Sequence, residues 1–426
     1  MMADEAEGQR RNRRPSKLWV GEGSMKHTGE GSRKHRGMVR RVAKKTFETG
    51  VSAVAGPDML PATRKAATRL KWLAVGGLTM GAAAGIAVGA ATGVAGIALL
   101  RRLRAGASLA GKTVLITGGS RGLGLLLARE FTAEGCNVVI CARDTEELSR
   151  AAEELRRSGA NVLAIACDVT NREQVERLVD ETTDRFGAID VLVNNAGIIT
   201  VGPVQTQTLQ DYEEAMRIMF WGVVYPTLAV LPQMLARRGG RIANITSIGG
   251  KVAVPHLLPY DCAKFAAVGF SEGLHAEVGR YGIKVTTVCP GLMRTGSYVN
   301  AAFKGNNQAE YSWFSLGSNL PLVSIAAERA AHRIVRAVRQ GRSELIITPQ
   351  ARLLATAHGI APGLVSDALS LVNRILPEPT DDHSRHWGKE SKTAVSESLL
   401  TALGRRAAER LNESPEQLTA LQSGKA

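Results

Sequence analysis

Seven short runs of β-branched and apolar residues, separated by helical patterns, constrain the fold of this chain more than any other feature. The runs begin after Gly111, and amphipathic stretches such as Glu146–Ser158 and Glu173–Phe186 lie between them. The runs are Thr113–Thr117, Val138–Ala142, Val162–Cys167, Ile189–Asn194, Arg241–Thr246, Lys284–Cys289 and Glu344–Thr348. Strands that alternate with helices in this way predict an α/β fold built on a doubly wound parallel sheet of about seven strands.

A glycine-rich loop follows the first run directly. It reads Thr117-Gly118-Gly119-Ser120-Arg121-Gly122-Leu123-Gly124, and a helical pattern begins near Leu125. Glycines at such a junction permit a tight turn and a close approach of ligand to backbone, and the N-terminus of the next helix attracts phosphate. Such a loop is often only a turn, but its place after a β-branched strand favours a dinucleotide site.

The end of the second run indicates which dinucleotide would bind. An NAD site would place Asp or Glu there, to bond the ribose 2′-hydroxyl. Here the run ends Ala142-Arg143, and Arg121 lies in the glycine loop. Two guanidinium groups can hold a 2′-phosphate through charged hydrogen bonds, which favours NADP(H). The alternative is that Arg143 is a solvated loop cation, while Asp144 is expected to cap the next helix.

Four further motifs follow in order. They are Cys167-Asp168-Val169, Asn194-Asn195-Ala196-Gly197, the Tyr260/Lys264 pair with Ser247 thirteen residues before the tyrosine, and Pro290-Gly291-Leu292-Met293-Arg294-Thr295. With the glycine loop, they resemble the short-chain dehydrogenase/reductase family over residues 109–376. The resemblance implies a Rossmann-like fold and a catalytic trio of Ser247, Tyr260 and Lys264. The cofactor residues that the loop and the resemblance indicate are Gly118, Ser120, Arg121, Gly122, Leu123, Gly124, Arg143, Asp168, Val169, Asn194, Tyr260, Lys264 and Thr295.

The catalytic trio suits hydride transfer coupled to proton transfer. A phenol, with a pKa of about 10 when free, must be brought toward neutrality to exchange a proton with substrate. Lys264 lies one helical turn after Tyr260 and supplies positive charge. A lone tyrosine is more often a core aromatic, but Lys264 and Ser247 in register favour catalysis. Thr246 could be confused with Ser247, and the spacing to Tyr260 favours Ser247.

One residue departs from the family pattern. Relatives carry an asparagine on the helix after the fourth strand, where it supports proton exchange with solvent, and this chain has Met219 there. A thioether is a weak acceptor and cannot donate. The leading interpretation is an NADP(H)-dependent enzyme that interconverts a carbonyl and an alcohol on a lipophilic small molecule. The alternative is a non-catalytic NADP(H)-binding sensor or scaffold at a membrane.

The N-terminal part differs in composition from the rest. Residues 1–71 hold 17 Lys/Arg against 7 Asp/Glu of a chain with net charge +15, and we expect them to be disordered. Residues 72–100 carry no charge and have glycine at every fourth position from Gly77 to Gly93, which favours a transmembrane helix over a buried soluble one. We therefore expect a membrane partner rather than nucleic acid, with the catalytic domain facing the cytoplasm, where the cofactor is.

The remaining expectations concern the substrate side and the C-terminus. Residues 292–320 fall where the family places its substrate lid, and five of the chain's aromatic residues lie between Tyr298 and Phe314. An apolar lid favours a hydrophobic substrate, although these rings could instead pack the lid itself or a contact between subunits. The resemblance also implies homo-oligomer contacts. Residues 377–426 are predicted to be a polar tail, and the cysteine and histidine spacings predict no metal site.

Overall fold

A parallel sheet of seven strands forms the centre of the fold. The structure is a computed structural model that describes residues 107–321 and 323–413. The strands are β1 (Thr113–Thr117), β2 (Asn137–Ala142), β3 (Val162–Ala166), β4 (Val191–Asn194), β5 (Gly240–Ile245), β6 (Ile283–Cys289) and β7 (Glu344–Ile346). Their order is β7-β6-β5-β4-β1-β2-β3, and every neighbouring pair is parallel. This confirms the predicted sheet, and all carboxyl ends meet at one edge.

Helices cover both faces of the sheet. In chain order they are α1 (Gly122–Ala133), α2 (Thr145–Arg157), α3 (Arg172–Phe186), α4 (Leu209–Met216), α5 (Gly222–Ala236), α6 (Leu258–Val278), α7 (Asn307–Asn319), α8 (Ala327–Gln340), α9 (Pro349–Ile360), α10 (Pro362–Asn373) and α11 (Ala402–Arg410). Apolar residues of α1, α2 and α8 form a core with one face, and those of α3, α5 and α6 with the other. Strands β1 to β3 are added toward one side of the sheet, and β4 to β7 toward the other. The switch point between β1 and β4 opens a crevice at the carboxyl edge.

One helical stretch within the described residues is long and apolar enough to cross a membrane. It is Leu209–Ala236, which comprises α4, a π-helical turn at Arg217–Trp221 and α5. Half of its apolar window is buried, and Val230 and Met234 lie in the core beneath the sheet. This stretch is therefore a core helix. The predicted membrane segment at 72–100 and the basic region at 1–71 lie outside the described residues.

The folded unit continues beyond the predicted domain boundary at 376. His386–Trp387 adds an antiparallel strand to Ala302–Phe303, which also pairs with Thr200–Val201. Farther on, Ala407 and Leu411 are buried in the same core cluster as α1. The expected polar tail is thus packed protein as far as Glu413. Small residues on one face of α11 allow this close approach, although the segment as a whole is polar.

Candidate active site

The glycine loop leaves backbone exposed at the N-terminus of α1. Gly118 and Gly122 have φ of 62° and 55°, which favours glycine at both positions. A Cβ at Gly124 would overlap the carbonyl oxygen of Gly118, so that position also requires glycine. Arg121 makes no side-chain cap to α1. The first amide groups of α1 therefore depend on acceptors from outside the helix, and the oxygens of a pyrophosphate are acceptors of that kind.

Asn195 braces this loop, a role that the motif-based assignment missed. Its Nδ2 donates to the carbonyl oxygens of Thr117 at 3.0 Å and Gly118 at 2.9 Å. Its amide and that of Ala196 donate to Thr117 Oγ1 at 2.9 and 3.1 Å. Asn195 thus fixes the end of β4 to the loop that follows β1. The repeated asparagine in Asn194-Asn195 was the available signal.

Asn194 does not point into the crevice, in contrast to the role that the resemblance implied. Its side chain is 1% exposed and donates to Thr227 Oγ1 at 2.9 Å and Asn244 Oδ1 at 2.8 Å. Asn244 donates in turn to Ser271, which shares a hydrogen bond with Thr287. Asn194 therefore belongs to a buried network that ties β4, β5, α6 and β6 together. Of the asparagine pair, Asn195 contacts the cofactor loop.

Other predicted cofactor residues lie at the carboxyl edge. Ser120, Leu123, Val169 and Thr295 are all buried there, at 9% exposure or less. Asp168 follows β3 and accepts from the amide of Thr170 at 2.9 Å, which shapes the turn into α3. The structure thus brings these residues to the edge where the glycine loop lies.

The two arginines have different surroundings. Arg143 lies just past β2 with an exposed side chain. Asp144 beside it caps α2 by accepting from the amide of Glu147 at 2.8 Å, as predicted. Arg121 forms an ion pair with Glu147 at 2.8 Å and approaches Glu413 at 3.5 Å. Arg121 is therefore already engaged with carboxylates, whereas Arg143 faces solvent.

Ser247, Tyr260 and Lys264 come together at the carboxyl edge. Ser247 follows β5, and a Cβ placed on Gly249 would lie 3.5 Å from Ser247 Oγ and 3.2 Å from Tyr260 Cε1, so the two side chains flank the same point. Tyr260 and Lys264 lie in the first turns of α6, with Lys264 Nζ 5.6 Å from the centroid of the phenol ring. The Lys264 ammonium also donates to the carbonyl oxygen of Ile245 at 2.9 Å. The hydroxyl of neighbouring Thr246 instead donates to the carbonyl oxygen of Val288 at 2.6 Å. Ser247, rather than Thr246, is therefore the residue that faces Tyr260.

Burial shifts both ionisable groups of this trio toward their neutral forms. It raises the pKa of Tyr260 to about 12, although the hydrogen bond from Ser247 acts in the opposite direction. It also lowers the pKa of Lys264 to about 8. The sequence predicted a lowered phenol pKa, whereas burial, the largest cause here, raises it and favours the protonated phenol.

Met219 lies next to this trio, in the π-helical turn before α5. It is buried with Ala263 of α6, and Tyr260 packs against the same cluster. A Cβ placed on Gly197 would lie 3.8 Å from both Met219 Sδ and Lys264 Nζ, so sulfur and ammonium flank the same point. The position that departs from the family pattern is thus close to the catalytic lysine.

The predicted lid is packed mainly by its own aromatic rings. Tyr298, Phe303, Tyr311 and Phe314 are buried together, and Trp313 is half-buried against them. Trp313 Nε1 donates to Glu310 at 2.6 Å, and Glu310 also bonds His256 at 2.8 Å, which fixes the lid to the loop before α6. These rings therefore support the lid rather than line an open pocket. The partly buried apolar residues packed against this cluster are Ile199, Val254, Tyr260, Val299 and Trp313.

Residues Leu411, Asn412 and Glu413 lie on the glycine loop. The amide of Gly122 donates to the carbonyl oxygen of Leu411 at 2.8 Å. A Cβ on Gly122 would overlap the carboxylate of Glu413. Burial raises the pKa of Glu413 to about 7, while the charge of Arg121 lowers it. The first turn of α1 is thus contacted by two acceptors from the C-terminal region of the same chain, the Leu411 carbonyl and the Glu413 carboxyl group.

The doubly wound sheet, the glycine loop after its first strand and the serine–tyrosine–lysine cluster define a class of nicotinamide-dependent oxidoreductases. The profile described as short chain dehydrogenase matches residues 112–303. The chain is 33% identical over 259 residues to "Dehydrogenase/reductase SDR family protein 7-like" of Anopheles gambiae, covering 59% of this chain and 80% of the relative. This chain belongs to the short-chain dehydrogenase family.

Two further comparisons concern activity and cofactor. Ketoacyl reductase HetN of a Nostoc species is 31% identical over 241 residues, which cover 56% of this chain and 79% of HetN. A gluconate 5-dehydrogenase from Burkholderia cenocepacia, solved with NADP and tartrate, superposes with a TM-score of 0.51 at 30% identity. That match covers 57% of this chain and 96% of the dehydrogenase. The comparisons support an oxidoreductase with a nicotinamide cofactor.

Asp261, next to the catalytic tyrosine, is a buried carboxyl group with one unsatisfied oxygen. It is 1% exposed, and Oδ2 accepts from the amide of Val254 at 2.7 Å. Oδ1 has no hydrogen-bond partner within the described residues. Burial raises the pKa of Asp261 to about 8, against the effect of the Val254 amide. Between the ordinary pKa of an aspartate, 3.8, and about 8, Asp261 is therefore protonated in the folded protein and ionised in the unfolded chain.

This difference predicts a pH dependence of stability. Because the folded-state pKa is raised, the contribution of Asp261 is present below pH 4 and is lost as pH rises toward about 8. The slope from this one group is at most about 1.4 kcal/mol per pH unit. We expect Asp261→Asn to flatten the decrease in unfolding free energy between pH 5 and 8, measured by urea denaturation. Exposed Asp184→Asn is the control, and equal slopes in wild type and Asp261→Asn would contradict the assignment.

Proposed function

We propose that this protein is an NADP(H)-dependent oxidoreductase that interconverts a carbonyl and an alcohol on a lipophilic small molecule. The observation that carries the proposal is the grouping of Ser247, Tyr260 and buried Lys264 at the same sheet edge as the glycine loop. The nicotinamide, when bound, supplies or accepts hydride at its ring. The printed activity of the Nostoc relative, a ketoacyl reductase, supports carbonyl chemistry.

Each residue of the trio has a separate task in carbonyl reduction. Tyr260 donates the proton that the substrate oxygen requires, and a pKa of about 12 keeps the phenol protonated until that step. The phenolate that forms is stabilised by the Lys264 ammonium, since an opposite charge at short range favours the ionised form. Ser247 holds the substrate oxygen toward the phenol. Lys264 also offers N–H groups to the cofactor ribose and is fixed by its bond to Ile245.

Replacing the phenol should separate catalysis from binding. We expect Tyr260→Phe to lower turnover by about 100-fold or more, as loss of a general acid does, while NADPH still binds. The measurement follows NADPH absorbance with a panel of lipid-like ketones and aldehydes and uses fluorescence for binding. Tyr281→Phe, outside the site, is the control.

The same assay distinguishes the enzyme from the alternative, a non-catalytic NADP(H)-binding sensor or scaffold. That alternative rests on Met219, which stands where the family has an asparagine. If the wild type binds NADPH but turns over none of these carbonyls, and Tyr260→Phe changes nothing, the chain is a sensor or scaffold.

Preference for NADP(H) rests on the surroundings of the second strand. Arg143 is exposed at the carboxyl end of β2, where a 2′-phosphate would lie, and Asp144 is turned away as a helix cap. No carboxylate pairs with Arg143 within the described residues. Arg121 could join it after leaving Glu147 and Glu413. A free guanidinium beside the ribose favours the phosphorylated cofactor.

Reversing the charge at this position should reverse the preference. We expect Arg143→Asp to raise the KM for NADPH by about 10- to 100-fold, the equivalent of one or two charged hydrogen bonds, and to improve use of NADH. The ratio of kcat/KM for the two cofactors is the measurement. Arg157→Asp, on the exposed end of α2, controls for net charge. An unchanged ratio would refute the proposed phosphate contact.

Membrane association is proposed on the uncharged segment at 72–100, with the catalytic unit on the cytoplasmic side. The described residues add a second apolar surface, the hairpin formed by α9 and α10. Leu353, Ile360, Leu364 and Leu371 are 62–80% exposed there. A cavity of about 620 Å³ beside α9 is lined by Arg333, Arg336, Arg342 and Arg352. Apolar side chains bordered by arginines suit an anionic lipid surface.

Fractionation tests this part of the proposal. We expect the full chain to sediment with membranes in a low-salt buffer, because a 29-residue uncharged segment exceeds the roughly 20 residues that span a bilayer. A chain that begins at Leu109 keeps only the α9–α10 surface and should shift to the supernatant once the salt concentration is raised, while its NADPH binding remains. Recovery of the full chain in the supernatant at low salt would remove the membrane assignment.

A further inference from the structure

The residues that sequence motifs assign to cofactor phosphates are bound by another part of the same chain. We call Ala402–Glu413, which comprises α11 and the three residues after it, the closing segment. Leu411 and Ala407 of this segment are buried with α1. Ala408 packs against Gly296, next to Thr295, so closely that a Cβ on Gly296 would overlap it. The closing segment thus lies between the glycine loop and the start of the lid.

Three consecutive residues of the closing segment bond the glycine loop or its neighbours. The Leu411 carbonyl accepts from the Gly122 amide at 2.8 Å. Asn412 Nδ2 donates to the carbonyl oxygens of Ser120 at 2.9 Å and Glu147 at 3.1 Å. The Asn412 Oδ1 accepts from Arg150 at 3.1 Å. A peptide carbonyl and a side-chain amide therefore satisfy both donors and acceptors of the loop.

Glu413 places a carboxyl group where a phosphate would be expected. Its carboxylate lies against Gly122, 3.5 Å from Arg121 Nε, and accepts from Asn300 Nδ2 at 2.6 Å. The side chain is 4% exposed, so it is not a loosely held surface residue. Helix N-termini attract carboxylates for the same reason that they attract phosphates. The segment thus offers the loop the same chemistry as a pyrophosphate.

We propose that the glycine loop is also the binding site for the closing segment, so that NADP(H) and residues 402–413 compete for Ser120–Gly122. This inference rests on the proposed function, since it presumes that the loop binds the cofactor. In the closed form the Gly122 amide is bonded and the space over Gly122 holds the Glu413 carboxylate. Cofactor binding therefore requires the segment to leave the loop. The apparent Kd for the cofactor is then the Kd of the open form divided by the fraction of molecules that are open.

Variants that weaken the closing segment without altering the cofactor residues test the competition. Gly404 has no room for a side chain, because a Cβ there would overlap Asn319 Oδ1, so Gly404→Leu should displace α11. Gly359 in α9 has open space around it, and Gly359→Leu is the matched control. Glu413→Gln and Asn412→Ala weaken the contact with less risk to folding. Each full-length protein is titrated with NADPH by fluorescence.

We expect Gly404→Leu to lower the Kd for NADPH by about tenfold or more, and the double variant Glu413→Gln with Asn412→Ala to do the same. This magnitude corresponds to a wild type in which at most about a tenth of the molecules are open. Gly359→Leu should match wild type. Hydrogen exchange of the wild type gives a second readout that needs no variant. Saturating NADPH should speed exchange in peptides from 402–413 and slow it in 118–125.

The outcomes separate this inference from the proposed function. If all proteins bind NADPH with equal Kd and exchange in 402–413 does not rise, the competition is wrong while the cofactor assignment stands. If neither wild type nor the folded variants bind NADPH or NADH, both are wrong. Tighter binding in the displaced variants, together with faster exchange in 402–413, supports both.

Discussion

The structure depends on how the amide groups at the N-terminus of α1 are satisfied. The first turn of any helix leaves its N–H groups without partners in the helix. Here Arg121 gives no cap, and glycine at Gly122 removes the side chain that would shield the backbone. An acceptor must therefore come from elsewhere. The sheet topology places this turn at the crevice beside β4, where either a dinucleotide or the Leu411 carbonyl can reach it.

The same edge of the sheet holds the reacting groups in a poorly solvated setting. Lys264 is 5% exposed, and its bond to Ile245 accounts for only one of three ammonium N–H groups. The others remain for ligand and solvent. Burial opposes the charged forms of both Lys264 and Tyr260, so a ligand that covers the site would act on two groups whose pKa values are already shifted.

Sequence patterns predicted the sheet and the trio well, for identifiable reasons. The strands are buried on both faces, so their β-branched runs stand out, and the observed bounds fall within two residues of the predicted ones. Tyr260 and Lys264 share a face of α6 because helical geometry requires it. The asparagine assignment was less secure, since side chains alternate in a strand and adjacent residues have opposite environments. Asn194 points into the core, while Asn195 reaches the loop.

Other features could not be read from the sequence because they arise from tertiary contacts. The closing segment has small residues, Gly404, Ala407 and Ala408, on its buried face, and these give little hydrophobic signal in a window rich in arginine and glutamate. The lid aromatics are conspicuous in the sequence, but their burial against one another depends on which elements surround them. Likewise, the raised pKa of Tyr260 has burial as its largest cause, and burial is a tertiary property.

The closing segment and the lid are joined, which gives the C-terminal region a wider structural role than a cover for one loop. Asn300 of the lid bonds Glu413 at 2.6 Å, and Asn319 at the end of α7 accepts from the Gly404 amide at 2.6 Å. Upstream, His386–Trp387 adds a strand to the lid, and Arg385 pairs with Asp211 at 2.9 Å. Displacing α11 would therefore remove contacts at both ends of the lid. The glycine loop and the predicted lid thus share contacts with one segment, and a shift of that segment would alter the surroundings of both.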